Sequence, residues 1–302
     1  MSLKHNYHVF SLIAIFMWAL GFVFTRLSVV YFHPFSVSLL RFSVASVALL
    51  AAAVVLKIKP PDKEDWKWFV LCGLSGFGIY MPLFTIATTT LTAATSSMVV
   101  ATVPILTSLL AWFVYKERLK KVQCFACGLE YLGILVMAVL GAGLNANLGV
   151  LILSLATGLL AVYNITTRRL IKKYSPLQVT VYSMFVGTLV QFIFIPYAVA
   201  DISQGYIPFI GYFYIIVMGV FSSAFAFVAW SLALKTAPKV SYATNYMFGT
   251  PFLTTVLGFW LANELPGLET LFGGILIFSG LIIFNFHGEM AQLFGRLALR
   301  SR

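Results

Sequence analysis

Ten apolar runs of about twenty residues each, separated by short charged loops, constrain this sequence more than any motif does. They fall at roughly 8–32, 35–56, 67–88, 93–114, 123–142, 147–167, 177–200, 207–233, 240–262 and 268–287. A run of that length crosses the hydrocarbon core of a bilayer as one α-helix. In lipid, each such segment must satisfy its own backbone polar groups, which a helix does. Composition supports this reading: 61% of the 302 residues are apolar and 10% charged, and mean hydropathy is +0.96. So few charges cannot cover a water-facing surface, which excludes a soluble enzyme. The first run is too long for the core of a signal peptide and no small-x-small cleavage site follows it, so it is expected to remain as a span. The expected fold is an all-α membrane protein of ten transmembrane helices.

The net charge of +11 has a topological explanation. With the N-terminus (Lys4) in the cytoplasm, the basic groups Lys57/Lys59/Lys63/Lys67, Lys116/Arg118/Lys120/Lys121, Arg168/Arg169/Lys172/Lys173, Lys235/Lys239 and Arg296/Arg300/Arg302 all fall on that side. Loops near 33, 90, 144, 203 and 265 hold no Lys or Arg, so 18 of the 20 basic residues lie on one side, and only Arg26 and Arg41 do not. Cytoplasmic loops are enriched in Lys and Arg, so the alternation predicts an N-in, C-in protein and removes the basic excess as an argument for nucleic acid. The tail from Met290 spaces Met290, Leu293, Phe294 and Leu297 at helical intervals among arginines, which suits a short basic amphipathic helix on the inner leaflet, with a disordered tail as the alternative.

The chain repeats itself. Pro104 precedes Glu117 by 13 residues and Gly133 follows Glu117 by 16; Pro251 precedes Glu264 by 13 and Gly280 follows by 16. Arg26 stands eight residues before Pro34, as Arg168 does before Pro176. The expected units are residues 1–143 and 144–287, followed by a cytoplasmic tail at 288–302. Five spans per unit is an odd number, so the second copy enters the membrane inverted. Inverted repeats are a common architecture of secondary transporters, with the substrate site near the midplane between the halves. Residues 93–133 (AATSSMVVATVPILTSLLAWFVYKERLKKVQCFACGLEYLG) and 241–280 resemble the two copies of the EamA-type repeat of the drug/metabolite transporter superfamily. The marks are a mid-span Pro, a Glu at the helix end followed by Leu, and glycines in the next span; Trp18 and Gly21 resemble the Trp-Gly opening of that family, with Ala19 and Leu20 between them. The resemblance implies a ten-helix basket moving small organic solutes, often amino acids or related metabolites outward and, in other members, drugs or nucleotide-linked compounds.

Candidate working residues follow from what lipid tolerates. Pro104 and Pro251 sit deep in apolar spans, where each removes a backbone hydrogen bond and kinks the helix. Glu130 lies about 10–12 Å into the fifth span at 1.5 Å per residue. It shares a face with Ala126, Gly133 and Met137, so it is expected to face the bundle and to exchange a proton, meet a substrate ammonium, or brace a neighbouring helix. Arg26 and Arg41 break the charge rule at the outer ends of spans 1 and 2, suited either to anion capture or to snorkelling. Glu117 and Glu264 read as structural partners at helix ends. Trp18, Tyr80, Met98, Tyr163, Trp230, Asn245 and Tyr246 are the candidate substrate lining, since aromatic and amide groups inside a bundle bracket a solute or bond to another helix. Asn164 and Asn245 are expected to bond another helix, a water or a solute.

No HExxH, Gly-x-Ser-x-Gly or phosphate-cradling loop occurs, so neither an enzyme nor an ATP-driven pump is expected, and no cofactor is implied. Cys124 and Cys127 form a CxxC without further ligands nearby and read as small helix residues. The sequence therefore reads as a multi-pass transporter of a bacterial inner membrane, its partners a small-molecule substrate and the bilayer. A multidrug or nucleotide-type carrier and a lipid-carrier flippase with a polar lateral slot are the alternatives.

Overall fold

Proline and hydroxyl residues set the helix starts. Pro34 opens a helix capped by His33, whose Nδ1 accepts from the Phe35 N–H at 3.3 Å. Pro176 opens another behind Ser175, whose Oγ accepts from Gln178 N at 3.1 Å. Thr92 caps a third through Thr95 N at 3.0 Å. Side-chain acceptors at these positions satisfy N–H groups that have no partner within the helix, and Pro at the first turn loses nothing.

A computed structural model describes residues 6–137, 139, 148–262 and 267–300, and every regular element among them is helical. In chain order the helices are α1 (Asn6–Ser28), α2 (Pro34–Val55), α3 (Trp66–Gly73), α4 (Tyr80–Ala87), α5 (Ala93–Val100), α6 (Val103–Tyr115), α7 (Lys121–Met137) and α8 (Leu148–Leu170). They continue as α9 (Pro176–Gln191), α10 (Ile195–Gln204), α11 (Phe209–Val217), α12 (Ala226–Thr236), α13 (Val240–Thr244), α14 (Thr250–Ala262) and α15 (Leu268–Arg300). Joined end to end, these give seven helices long and apolar enough to cross a membrane: Asn6–Ser28, Pro34–Val55, Lys63–Ala87, Ala93–Tyr115, Leu148–Leu170, Pro176–Ser203 and Phe209–Thr236. The other three expected runs fall on α7, on α13–α14 with the turn between them, and on α15, whose apolar part is Leu271–His287. Residues 138 and 140–142 of the expected fifth run, and Glu264, lie outside the described residues. Beyond the apolar part, α15 continues as one helix to Arg300.

Several spans are interrupted. π-Helical turns widen the chain at Leu74–Gly78, between α3 and α4, and at Met218–Phe225, between α11 and α12. A two-residue turn at Ala101–Thr102 separates α5 from α6 just before Pro104. A 3₁₀ turn at Asn245–Gly249 separates α13 from α14 just before Pro251. Proline removes the N–H that would serve the carbonyl four residues back. In the second case the tightened turn supplies Met247 O with the N–H of Thr250 instead.

The bundle is apolar outside and carries its polar groups inside. Leu109, Phe113, Phe125, Leu155, Phe221, Trp260 and Phe272 are exposed, whereas Thr25, Arg41, Gln123, Glu130, Asn164, Thr180, Gln191, Ser223 and Asn245 are buried. That distribution suits a lipid surround, in which burial is where polar groups find partners. Helix pairing uses small residues: Gly133 of α7 faces the Gly273 backbone of α15, and Gly280 lies against Ala126 O and Glu130. Close backbone approach of this kind drives helix association in lipid. The core centre is aromatic, with Trp18 and Phe22 of α1 meeting Phe84 of α4 and Phe227 and Trp230 of α12.

Candidate functional site

Where α1, α2, α4, α5, α8, α12 and the start of α14 converge, they enclose a cavity of about 40 Å³. Trp18, Gly21 and Phe22 of α1, Arg41 of α2, Tyr80, Met81 and Phe84 of α4, and Val100 of α5 line one part. Leu160 of α8, Phe227 of α12, Met247 and Thr250 line the other. Trp18 stands near the middle of α1, about 18 Å from its first residue at 1.5 Å per residue, so the cavity lies at mid-bundle depth. A single water needs about 10–15 Å³ measured this way; the cavity thus fits one small polar group, and a whole amino acid enters only when the helices part.

Among the described residues, Arg41 is the one charged member of this wall. It sits about 10 Å along α2 from Pro34 and is 4% exposed, so it does not snorkel. Its Nε donates to Ser223 Oγ at 2.7 Å, Nη1 to Thr25 Oγ1 at 3.3 Å and Nη2 to the Ser222 carbonyl at 3.3 Å. Thr25 donates its own proton to Gly21 O at 2.6 Å, leaving a lone pair for the guanidinium. The π turn at Met218–Phe225 brings the Ser222 carbonyl and the Ser223 hydroxyl to the arginine. Gly21 leaves room for it: a Cβ there would stand 3.3 Å from Nη2 and 3.0 Å from Ser222 Cβ. All three partners are neutral, and the salt bridges among the described residues join Lys173 to Asp62 and Asp65 instead.

Of the candidate lining, Trp18 and Tyr80 reach the cavity. Trp230 stands behind Trp18, ring centres 4.9 Å apart, and donates its indole N–H to Asn164 Oδ1 at 2.8 Å; Asn164 in turn donates to Thr107 Oγ1 at 3.2 Å. Tyr163 packs against Phe77 and Phe227. Met98 is buried in a separate cluster with Phe248, Ile277 and Met137. In the 3₁₀ turn it is Met247, not Asn245 or Tyr246, that faces the cavity. Tyr246 bonds His8 through its hydroxyl and meets Tyr7 edge-on. Arg41, Met247 and Thr250 escaped the sequence reading as lining residues. Arg41 carried a signal, its break with the charge rule; the other two carried none.

Asn245 donates to Glu130 Oε1 at 2.8 Å and accepts from Cys127 Sγ at 3.8 Å. Glu130 is fully buried at the α7–α15 contact, and its Oε2 has no hydrogen-bond partner among the described residues. Arg26 donates to Thr88 O and Thr89 O at 3.2 and 3.3 Å, closing off the carbonyl end of α4. Glu117 accepts from Val240 N at 3.0 Å, anchoring the start of α13; its partial burial pushes the carboxyl up from the usual carboxylate range, against the pull of that N–H and of Arg168 and Lys239. A second, wider cleft between α6 and α7 is lined by Ile105, Leu109, Trp112, Leu119, Cys127 and Tyr131, with Ser108, Glu117 and Arg118 as its polar members. It is mostly apolar, unlike the polar lateral slot that a lipid-carrier flippase calls for.

The model of the EamA-like transporter family matches residues 6–139 and residues 147–286. The chain belongs to that family. This transporter is therefore a multi-pass protein of the cell membrane and not an enzyme. It is similar to a probable terminal-alkyne amino-acid exporter of Streptantibioticus cattleyicolor, 28% identical over 268 residues and 89% of each chain. It is also similar to the uncharacterized transporter YdfC of Bacillus subtilis, 28% identical over 87% of this chain and 86% of that one. A transporter of Archaeoglobus fulgidus is 25% identical over 88% of this chain and 94% of its own. A crystal structure at 18% identity superimposes with a TM-score of 0.76 over 95% of this chain and 98% of that one, a likeness of fold.

Proposed function

We propose that the transporter exports an amino acid or a related small organic compound across a bacterial inner membrane, by alternating access of two inverted five-helix halves, residues 1–143 and 144–287, with both termini in the cytoplasm. The observation that carries this reading is the mid-bundle cavity, whose wall draws on both proposed halves. Interruptions recur at equivalent places: π turns at Leu74–Gly78 and Met218–Phe225, and breaks before Pro104 and Pro251. Contacts exchange in the same way. α1 packs on α12 as α8 packs on α3 and α4, α2 on the second π turn as α9 on the first, and α7 on α15, its own counterpart. Two halves that meet across such an axis can tilt to open either face of the cavity without refolding.

In this reading Trp18 and Tyr80 contact the solute, with Trp230 and Tyr163 holding the aromatic wall. Met98, Asn245 and Tyr246 act behind that wall, Pro104 and Pro251 fix the breaks, Arg26 fastens α4, and Glu130 is the candidate for proton coupling. Export of an amino acid draws on the similarity to the probable terminal-alkyne amino-acid exporter of Streptantibioticus cattleyicolor. The test is counterflow in proteoliposomes with labelled amino acids, amines, nucleosides and cationic drugs. Saturable exchange of amino acids above empty vesicles is the expected result. Exchange restricted to drugs or nucleosides would replace the substrate class, and lipid translocation without solute exchange would replace the mechanism.

A further inference from the structure

We propose that Arg41 is the carboxylate-binding residue of the central cavity, so that the transporter selects solutes by an anionic end; this rests on the transport reading above. A guanidinium held away from water is costly unless an opposite charge meets it. Here its hydrogen-bond partners are two hydroxyls and a carbonyl, and they leave the remaining N–H groups of the fork without an acceptor among the described residues. Nor do the described residues hold a compensating acid within ion-pair distance. Glu130, the buried carboxyl of the bundle, is engaged with Asn245 outside the cavity wall.

Residues around the cavity carry further donors. Trp18 Nε1 and Thr250 Oγ1 belong to lining residues and are buried with no hydrogen-bond partner among the described residues, as is Ser222 Oγ beside the guanidinium. One cation in the wall, with unsatisfied N–H and O–H groups on residues in and beside it, suits an acceptor-only, singly charged group, and the planar fork of arginine matches a carboxylate in two parallel bonds. The size of the space, about 40 Å³, also suits a carboxylate. The rings of Trp18 and Tyr80 on the same wall offer faces to an ammonium or an apolar side chain.

The experiment compares matched triplets in counterflow by the full-length protein: L-leucine, isoamylamine and leucinamide, and L-phenylalanine, phenethylamine and phenylalaninamide. The expected result is saturable exchange of the acid of at least one triplet, with its amine and amide at least about tenfold weaker, the scale set by a hydrogen bond to a charged group. Arg41→Gln should raise the apparent KM for that acid roughly tenfold to hundredfold, and Arg41→Lys, a point charge without the fork, should recover part of the loss. Equal exchange of acid, amine and amide by the wild type overturns the assignment whether or not the variants fold, and so does an unchanged KM in folded Arg41→Gln. Silence of every triplet in folded wild-type protein overturns the amino-acid reading and this assignment together.

Discussion

Gly280 shows how narrow the tolerances are where α7 and α15 cross. A Cβ placed there would lie 2.3 Å from Glu130 Cγ and 2.8 Å from the Ala126 carbonyl, whereas one at Gly128 of the same helix pair would meet nothing within 4 Å. Backbone cannot yield as a flexible side chain can, so Gly280→Val should destabilise the protein by about 1–3 kcal/mol, read as a lower melting temperature in detergent, while Gly128→Ala leaves it unchanged. Glu130 itself calls for a gentler probe. Glu130→Gln keeps an oxygen for the Asn245 amide and replaces the unpartnered Oε2, removing the titrating proton while keeping the shape. The expected outcome is counterflow at the wild-type rate with the acceleration by a pH gradient lost. If gradient dependence survives, Glu130 is a brace between helices and nothing more.

Short elements at the proposed cytoplasmic end tie the two proposed halves together. Lys173, in the turn after α8, bridges Asp62 and Asp65 ahead of α3 at 2.7 and 2.6 Å. Tyr174 donates to Asp65 at 2.6 Å, and Gln178 of α9 donates to Lys59 O at 2.8 Å. The lysine holds both aspartates below the usual carboxylate range, and they in turn push the Lys173 ammonium up. The signs set the window. Depressed aspartates contribute above their ordinary pKa and lose that contribution as pH falls through the lowered values; a raised lysine contributes below its ordinary pKa and loses it only as pH rises through the higher one. The latch is therefore flat between about pH 5 and 9, and a physiological proton gradient does not open it. Spin labels at positions 59 and 178 should report one short distance throughout that range, and Lys173→Met should broaden it at every pH. A distance that lengthens between pH 7 and 5 in the wild type would instead make the latch a proton sensor.

For the whole molecule, the proposed inverted N-in arrangement makes one geometric demand: the loops at 57–67 and 168–175 lie on the same, cytoplasmic side. A cysteine introduced in either loop should resist a membrane-impermeant thiol reagent added to intact cells and react once the membrane is opened. Labelling of one loop from outside and not the other would refute the inversion, and labelling of both would refute the N-in orientation that the charge rule predicts. The latch gives this demand a structural counterpart, since Lys173 and its aspartates come from the two loops in question.

The apolar runs, the sidedness of the basic loops and the recurrence of Pro, Glu and Gly at fixed spacing are all local in sequence. Transfer into lipid is decided segment by segment, so membrane insertion, the all-helical class and the family resemblance were legible from residues alone. Which side chains meet in the centre is decided by rotation about each helix axis, and there the uniform 3.6-residue period fails. The 3₁₀ turn at Asn245–Gly249 directs Met247 and Thr250, and not Asn245 or Tyr246, to the cavity, and the π turn at Met218–Phe225 carries Ser222 and Ser223 to Arg41. Val100 lines the wall in place of Met98. An arginine near the start of an apolar run is equally suited in sequence to snorkelling or to the interior. Only the packing of α1, α2 and the second π turn, with Gly21 leaving space for the guanidinium, determines that Arg41 turns inward.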